Sequence, residues 1–261
     1  MRWAFALSLL GTLFPLLFWT TPLGAEDFMA RGQRYEQETL YGPAIAEYQR
    51  ALKENPKNAE AHYRIGVISA RLGNTAGAAE EFRKALSLDP HHAAARSALA
   101  AHHLNQGVIF RHKHQFEEAV QELGETVRID PGLSTAHFEL GQVYEETGRY
   151  AEALQEYQKA VQADPGSVHG HLHLGLGYNR LGQYAQAVEA FETVLRIHPD
   201  DPEAYAGLGV AYYKQGQREQ AETAFDKAIR LYLMAGRRDL AQQVKDTANA
   251  LSQPEGRPSL P

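Results

Sequence analysis

Small and large apolar residues recur along this chain with a period of 34 residues. Six repeats of this length begin at Ala25, Ala59, Ala100, Ser134, Val168 and Pro202. Position 8 of every repeat is glycine, position 20 is alanine, and position 24 is large. The residues at position 24 are Tyr48, Phe82, Leu123, Tyr157, Phe191 and Phe225. A fixed period of this length predicts stacked helical hairpins, each too small to bury its apolar face alone.

The invariant glycine lowers the stability of the helix, so we expect a close packing contact to require it. Glycine inside a helix is about 1 kcal/mol less favourable than alanine. We predict that the glycine at position 8 faces the alanine at position 20, so that the two helices of a hairpin approach closely where they cross. Large residues at position 24 then fill the space on either side of the crossing.

Glycine and proline mark where the helices end. Gly148 and Gly182 are placed to supply the positive φ that closes a first helix. Prolines that follow the second helices are Pro56, Pro90, Pro131, Pro165 and Pro199. One spacing is 41 residues instead of 34, because seven extra residues lie near residues 93–99. We interpret this insertion as an extension of the third repeat's first helix, or as a contact site or hinge.

Residues 1–25 lie outside this pattern. Arg2 precedes an apolar run at residues 3–19, and small residues before Ala25 lead into Glu26 and Asp27. This order is typical of a cleaved secretory signal peptide and predicts a periplasmic or secreted protein. The alternative is an uncleaved anchor in the inner membrane that holds the protein facing the periplasm. At the other end, residues 236–252 predict a capping helix, and residues 253–261 predict a disordered tail.

Composition excludes several classes of function. The net charge is −6, so the chain lacks the basic surface typical of nucleic-acid binding. Cysteine is absent, which excludes disulfides, thiol catalysis and thiolate metal sites. The sequence contains no phosphate-binding loop, no nucleophile elbow and no His-Glu-x-x-His helix. We therefore predict a protein that is not an enzyme and needs no cofactor.

Three alternating histidines are the strongest candidate for a metal site. His169 and His173 share a helical face, whereas His171 points away from both. No Asp or Glu lies at ligand spacing beside them, and a firm site needs a third ligand. His171 also occupies position 4, which is histidine in three earlier repeats and is interpreted as a packing position. No metal site is predicted, but a metal-handling or small-ligand-binding periplasmic protein remains the alternative function.

The middle repeats resemble the tetratricopeptide repeat (TPR) family. The segment from Glu139 to Tyr144 followed by Gly148 to Ala153 is close to the family pattern, and the similarity extends over residues 26–235. The resemblance implies an all-α, right-handed solenoid of about six hairpins. It also implies a concave groove, lined by the first helices, that binds a peptide or a partner helix.

Groove positions follow from the same resemblance. The apolar groove residues are Tyr63, Val67, Leu104, Val108, Phe138, Leu172, Leu176, Val210 and Tyr213. Charged groove residues at the rim are Arg71, Arg111 and Arg180. The predicted function is a non-catalytic scaffold that captures an apolar or amphipathic segment of a partner protein during assembly of envelope complexes. The partner, the pathway and the oligomeric state are not predicted.

Overall fold

The computed structural model describes residues 27–252, and the predicted signal segment and C-terminal tail lie outside that range. The described residues form thirteen α-helices and no β-strand. Helices that are consecutive in the chain pack against each other as hairpins, and a last helix packs on the final hairpin. The prediction of an all-α solenoid of hairpins with a closing helix is confirmed. None of the described helices combines the length and apolarity that a membrane span requires.

The N-terminal module ends at Leu88 and contains two hairpins. Its helices are α1 (Phe28–Gln37), α2 (Tyr41–Glu54), α3 (Ala59–Arg71) and α4 (Thr75–Leu88). Tyr48, Ile65 and Ile68 are buried at the centre of this module. Asn58 begins α3, where its side chain accepts a hydrogen bond from the backbone N–H of Ala61 at 3.1 Å.

The C-terminal module begins at Asp89 and contains the remaining nine described helices. They are α5 (Ala93–His112), α6 (Phe116–Ile129), α7 (Ser134–Glu146), α8 (Tyr150–Ala163), α9 (Val168–Arg180), α10 (Tyr184–Ile197), α11 (Pro202–Lys214), α12 (Arg218–Met234) and α13 (Arg238–Ser252). Helix α5 has 20 residues, whereas α7, α9 and α11 have 13 each. Ala95 and Leu99 in the extra turns are buried, so this extension carries core positions.

The glycine at position 8 makes room for the large residue at position 24 of the same hairpin. A Cβ atom built on Gly141 would lie 2.6 Å from Tyr157 Cε1, and one on Gly175 would lie 2.6 Å from Phe191 Cε1. The same contact is made by Gly32, Gly66, Gly107 and Gly209. The predicted approach to the alanine at position 20 is seen in the second repeat, where a Cβ atom on Gly66 would also lie 3.2 Å from the backbone oxygen of Ala78. The nearest atoms belong to the large residue at position 24, and the glycine is needed because that side chain lies directly on the backbone of the first helix.

Turn geometry follows the predicted positions in four repeats. Gly73, Gly148, Gly182 and Gly216 have φ between 74° and 83°, the left-handed conformation that closes a helix. The equivalent residues in the first and third repeats are Thr39 and His114, with φ of 60° and 56°.

Candidate protein-interaction site

A pocket of about 460 Å³ opens between α9, α11 and α13 in the C-terminal module, and we call it the α11 pocket. It is lined by Glu145, Leu176, Asn179, Arg180, Glu203, Ala206, Gly207, Val210, Phe225, Tyr232, Leu240, Gln243, Val244 and Thr247. Apolar side chains come from all three helices, including Leu176 of α9, Val210 of α11 and Leu240 of α13. The small residues Ala206 and Gly207 also line the pocket. The pocket thus combines an apolar surface with a polar rim.

Two hydrogen-bond acceptors of this pocket, Asn179 Oδ1 and the Glu203 carboxylate, have no donor among the described residues. Asn179 donates from Nδ2 to the backbone carbonyl of Gly207 at 2.8 Å, which fixes the orientation of its amide. Its Oδ1 atom is buried and accepts no hydrogen bond from any described residue. Glu203 forms no ion pair or hydrogen bond within residues 27–252. The Arg180 guanidinium lies over the Tyr150 ring, 4.4 Å from its centroid.

Glu145 lies at one edge of the α11 pocket within a polar and aromatic cluster. Its carboxylate accepts a hydrogen bond from Tyr157 Oη at 2.7 Å, and His173 Nδ1 lies 3.4 Å away. The hydrogen bond from His173 lowers the pKa of Glu145, and the one from Tyr157 acts in the same direction against the effect of burial. Phe138 packs edge-on against His173, with ring centroids 5.1 Å apart. The carboxylate is therefore held in place before any partner binds.

Three of the predicted groove residues meet in the α11 pocket. Leu176, Arg180 and Val210 all line it, and each was placed there by its position in the repeat. Tyr213 lines a different pocket of about 560 Å³, with Ile229 of α12 among its walls. Four of the predicted groove residues of this module thus line two neighbouring pockets.

Three other predicted groove residues of the C-terminal module, Leu104, Val108 and Arg111, line neither of these pockets. Leu104 and Val108 are half-buried on α5. The Arg111 side chain is only 14% exposed and pairs with Glu139 at 3.1 Å and with Glu146 at 2.8 Å. Its charge is already compensated, so it is a poor candidate for a free rim charge.

Leu172 requires a correction. We predicted that it is an accessible groove anchor, but it is 6% exposed and belongs to a core cluster with Phe191 and Leu208. Position 5 of this repeat therefore faces the packed interior of the module. We exclude Leu172 from the candidate site.

Groove positions in the N-terminal module form a local polar surface. Tyr63 and Val67 are half-buried on α3, and Arg71 is exposed at its end. Arg71 and Arg64 each place a guanidinium nitrogen 3.7 Å from the buried carboxylate of Glu36. That carboxylate also accepts a hydrogen bond from Tyr48 Oη at 2.9 Å.

Several pocket residues were missed by the sequence interpretation. Helix α13 was predicted only to cap the array, yet Leu240, Gln243 and Val244 form one wall of the pocket. Leu240 and Val244 are four residues apart, and this helical spacing was the available signal. Asn179 and Glu203 had no such signal, because their importance depends on which of their atoms lack partners in the folded chain.

A recurring hydrogen-bonded pair explains three of the histidines at position 4. His62, His103 and His137 place Nδ1 at 2.7, 2.6 and 2.6 Å from glutamates at position 23. Those glutamates are Glu81, Glu122 and Glu156. The interpretation of position 4 as a packing position missed these glutamate partners, which lie 19 residues further along the chain.

The alternating histidines lie in three different environments. His169 is exposed, His171 bonds the Pro165 carbonyl through Nε2 at 3.1 Å, and His173 contacts the Glu145 cluster. Across residues 27–252, no three His, Asp or Glu side chains are grouped so that they could hold a metal ion.

Stability should depend on pH through the His137–Glu156 pair. The hydrogen bond to Glu156 raises the pKa of His137 above 6.5, although burial opposes the charged form. Burial alone would raise the pKa of Glu156, but hydrogen bonds from His137 and Lys159 lower it below 4.5. His137 therefore adds to the free energy of unfolding below its unfolded-state pKa, and this contribution is lost as the pH rises through its folded-state pKa. Glu156 adds to the free energy of unfolding above its unfolded-state pKa, and this contribution is lost as the pH falls through its folded-state pKa.

Replacing His137 with glutamine should therefore cost about 1–3 kcal/mol near pH 6 and less at alkaline pH. Urea unfolding of both proteins across a pH series measures this difference. The control is His169→Gln, which removes an exposed imidazole and should produce a smaller, flatter difference. A cost for His137→Gln that does not change with pH would contradict the assignment of the pair.

Comparison with known proteins agrees with this geometry. Tetratricopeptide repeat models match residues 29–93, 104–168 and 202–232, and a TPR repeat model matches residues 175–216. No curated protein matches the chain at a significant level.

The solved structures that match this chain are distant from it in sequence. YrrB, described as a TPR protein with an unusual peptide-binding site, is 23% identical, with a TM-score of 0.56; the match covers 76% of this chain and 97% of YrrB. The Cut9–Hcn1 heterotetramer of APC/C is 15% identical, with a TM-score of 0.50; the match covers 87% of this chain and 42% of that one. MamA is 21% identical, with a TM-score of 0.37; the match covers 80% of this chain and 92% of MamA.

The repeat models therefore cover most of the described helices, and the structural matches reproduce their hairpin arrangement. The chain belongs to the tetratricopeptide repeat family of protein-interaction scaffolds.

Proposed function

We propose that this protein is a non-catalytic scaffold that captures an apolar or amphipathic segment of a partner protein in the α11 pocket. The observation that carries the proposal is the pocket itself, where three helices present apolar side chains around an open centre. Amphipathic segments bind such surfaces by burying apolar anchors between helices. The description of YrrB as peptide-binding supports a peptide ligand, although that protein shares only the fold with this chain.

Polar groups of the pocket support a protein segment as the ligand. The buried Asn179 Oδ1 lacks a donor among the described residues, and a backbone or side-chain N–H of a partner would satisfy it. Glu203 and Arg180 line the pocket with opposite charges. Charges at a rim mainly set orientation and association rate, whereas the apolar anchors supply most of the affinity.

We further propose that the protein acts in the periplasm, in the assembly of envelope complexes. The support is the order of basic, apolar and small residues within residues 1–25, which lie outside the described structure. An inner-membrane anchor facing the same compartment remains the alternative. The mass of protein isolated from periplasmic and membrane fractions distinguishes the two, because the anchored form retains residues 1–25.

Val210→Asp should weaken partner binding by at least about tenfold, because it places a carboxylate against the apolar wall of the pocket. The partner is first captured from an envelope extract with a photoreactive phenylalanine analogue at residue 210 and identified by mass spectrometry. Binding of the purified partner is then measured by calorimetry. Leu240→Asp on α13 should reproduce the loss, since Leu240 lines the same pocket.

The control is Gln121→Asp, an exposed substitution on α6 that adds the same charge outside the pocket. All variants should keep the helical circular dichroism spectrum. Partner binding that survives both Val210→Asp and Leu240→Asp would show that the α11 pocket is not the site of capture.

A further inference from the structure

The two helices of each hairpin enclose a crevice between positions 4, 7 and 11 of the first helix and positions 19, 23 and 26 of the second. We call this space the hairpin crevice. In the fourth repeat, His137 and Glu156 fill it with side chains that are 5% and 11% exposed. Lys159 at position 26 also reaches Glu156, at 2.7 Å. The chain therefore builds a carboxylate-binding cradle of one histidine and one lysine inside this hairpin.

The second repeat repeats this cradle within the N-terminal module. His62 lies 2.7 Å from Glu81, and Lys84 lies 2.8 Å from the same carboxylate. The third repeat keeps the histidine pair through His103 and Glu122. A histidine thus holds the glutamate at position 23 in three consecutive repeats, and a lysine joins it in the second and fourth.

The fifth and sixth repeats keep the crevice but lack the glutamate. Position 23 is Ala190 in one and Ala224 in the other. The crevice of the fifth repeat is an open pocket of about 210 Å³, and that of the sixth is an open pocket of about 620 Å³. The first is lined by His171, Leu174, Tyr178, Gln186, Glu189, Ala190 and Thr193. The second is lined by Tyr205, Leu208, Tyr212, Glu219, Gln220, Thr223, Ala224, Lys227 and Arg230.

Each open crevice retains part of the cradle. His171 donates through Nε2 to the Pro165 carbonyl at 3.1 Å, as His137 does to the Pro131 carbonyl at 3.1 Å. Its ring is therefore held in the same way, but its Nδ1 atom has no hydrogen-bond partner within the described part of the chain. The sixth repeat keeps the lysine of position 26, Lys227, which reaches Asp200 at 3.1 Å instead.

We propose that the hairpin crevices of the fifth and sixth repeats bind the carboxylate side chains of an acidic segment of a partner protein. The partner's Asp or Glu side chains take the place that Glu156 occupies in the fourth repeat. His171, protonated on both ring nitrogens as the fourth-repeat geometry requires of His137, donates from Nδ1 to one carboxylate. Arg230 receives another together with Lys227, which exchanges Asp200 for the ligand. Glu189 and Glu219 also line these crevices, but both are exposed, so solvent and salt screen their repulsion.

This site is separate from the α11 pocket. No residue lines both the α11 pocket and either open crevice. The proposal therefore does not depend on capture in the α11 pocket, and the two can fail independently.

The first test restores the missing carboxylate within the chain. In Ala190→Glu, the new side chain should bond His171 Nδ1 and produce a low-field ring N–H signal in the proton NMR spectrum. Ala185→Glu is the matched control, because it adds the same charge at an exposed position of the same helix. The low-field signal should be absent from Ala185→Glu and from the Ala190→Glu/His171→Gln double variant. A folded Ala190→Glu variant without the signal would overturn the proposal.

The second test measures binding directly with designed probes. A short fluorescent peptide of leucine, serine and glutamate should bind the wild-type protein at least about tenfold more tightly than its lysine counterpart. Salt should weaken this binding. Ala190→Glu should reduce the affinity about tenfold by filling one crevice, whereas Ala185→Glu should not. Absence of acidic-peptide binding, equal binding of both peptides, or equal losses in the two variants would each overturn the proposal.

Discussion

Replacing Phe191 with alanine should lower the free energy of unfolding by about 3–5 kcal/mol. The Phe191 ring is fully buried and packs against two helix backbones at glycine positions. A Cβ atom on Gly175 would lie 2.6 Å from Phe191 Cε1, and one on Gly207 would lie closer still to the ring. Gly175 belongs to the same hairpin, and Gly207 belongs to the next one. Removal of the ring therefore leaves a cavity bounded by backbone, which cannot relax into the space as side chains can.

Urea unfolding followed by circular dichroism measures this loss. Tyr184→Ala is the control, because it removes a half-buried aromatic ring from the same helix and should cost less. Hydrogen exchange should accelerate most in α9 and α11, since a solenoid repeat is stabilised mainly by its neighbours. A loss below about 1 kcal/mol for Phe191→Ala would contradict the ring's role as the link between hairpins.

The alignment of repeats predicted which residues matter for the fold, but only part of their contacts. Periodicity shows that every repeat has glycine at position 8 and a large residue at position 24, as Gly141 and Tyr157 are in the fourth repeat. It does not show that one lies against the other, because that depends on where the two helices cross. We predicted contact with the alanine at position 20, and the structure adds a closer contact with the large side chain at position 24.

Repeat position alone identified three groove residues that the folded chain brings to one pocket, where partner binding is proposed. Leu176, Arg180 and Val210 were placed by repeat position, and all three line the α11 pocket. Leu172 failed the same rule because the fifth repeat packs it against Phe191. The contribution of α13 was not predictable from the repeat, since this helix follows the sixth hairpin and lies outside the 34-residue pattern.

The position-4 histidines show a signal that was visible but not used. Histidine at position 4 and glutamate at position 23 recur 19 residues apart in three repeats, but the sequence interpretation considered only the histidines. Two changes to alanine at position 23 then mark the open crevices. That contrast can be recognised only when the contact between histidine and glutamate is known, because alanine at position 23 is an ordinary helical residue.

Gly141→Ala should destabilise the protein by about 1–3 kcal/mol, although alanine is the better helix former. The new methyl group would lie 2.6 Å from Tyr157 Cε1 and 2.7 Å from Cδ1. Tyr157 cannot move away freely, because its ring is buried and its hydroxyl bonds Glu145 at 2.7 Å. The two helices of the hairpin must separate instead, which loosens the surrounding core.

Gly124→Ala provides the matched control for this prediction. Gly124 lies within α6, and no atom is within 4 Å of the point where its Cβ would be. The same change should therefore stabilise the protein by about 0.4–1 kcal/mol, because only helix propensity and chain entropy change. Urea unfolding of both variants should show shifts of opposite sign. If Gly141→Ala is as stable as Gly124→Ala, the close contact between position 8 and position 24 does not set the spacing of the hairpin.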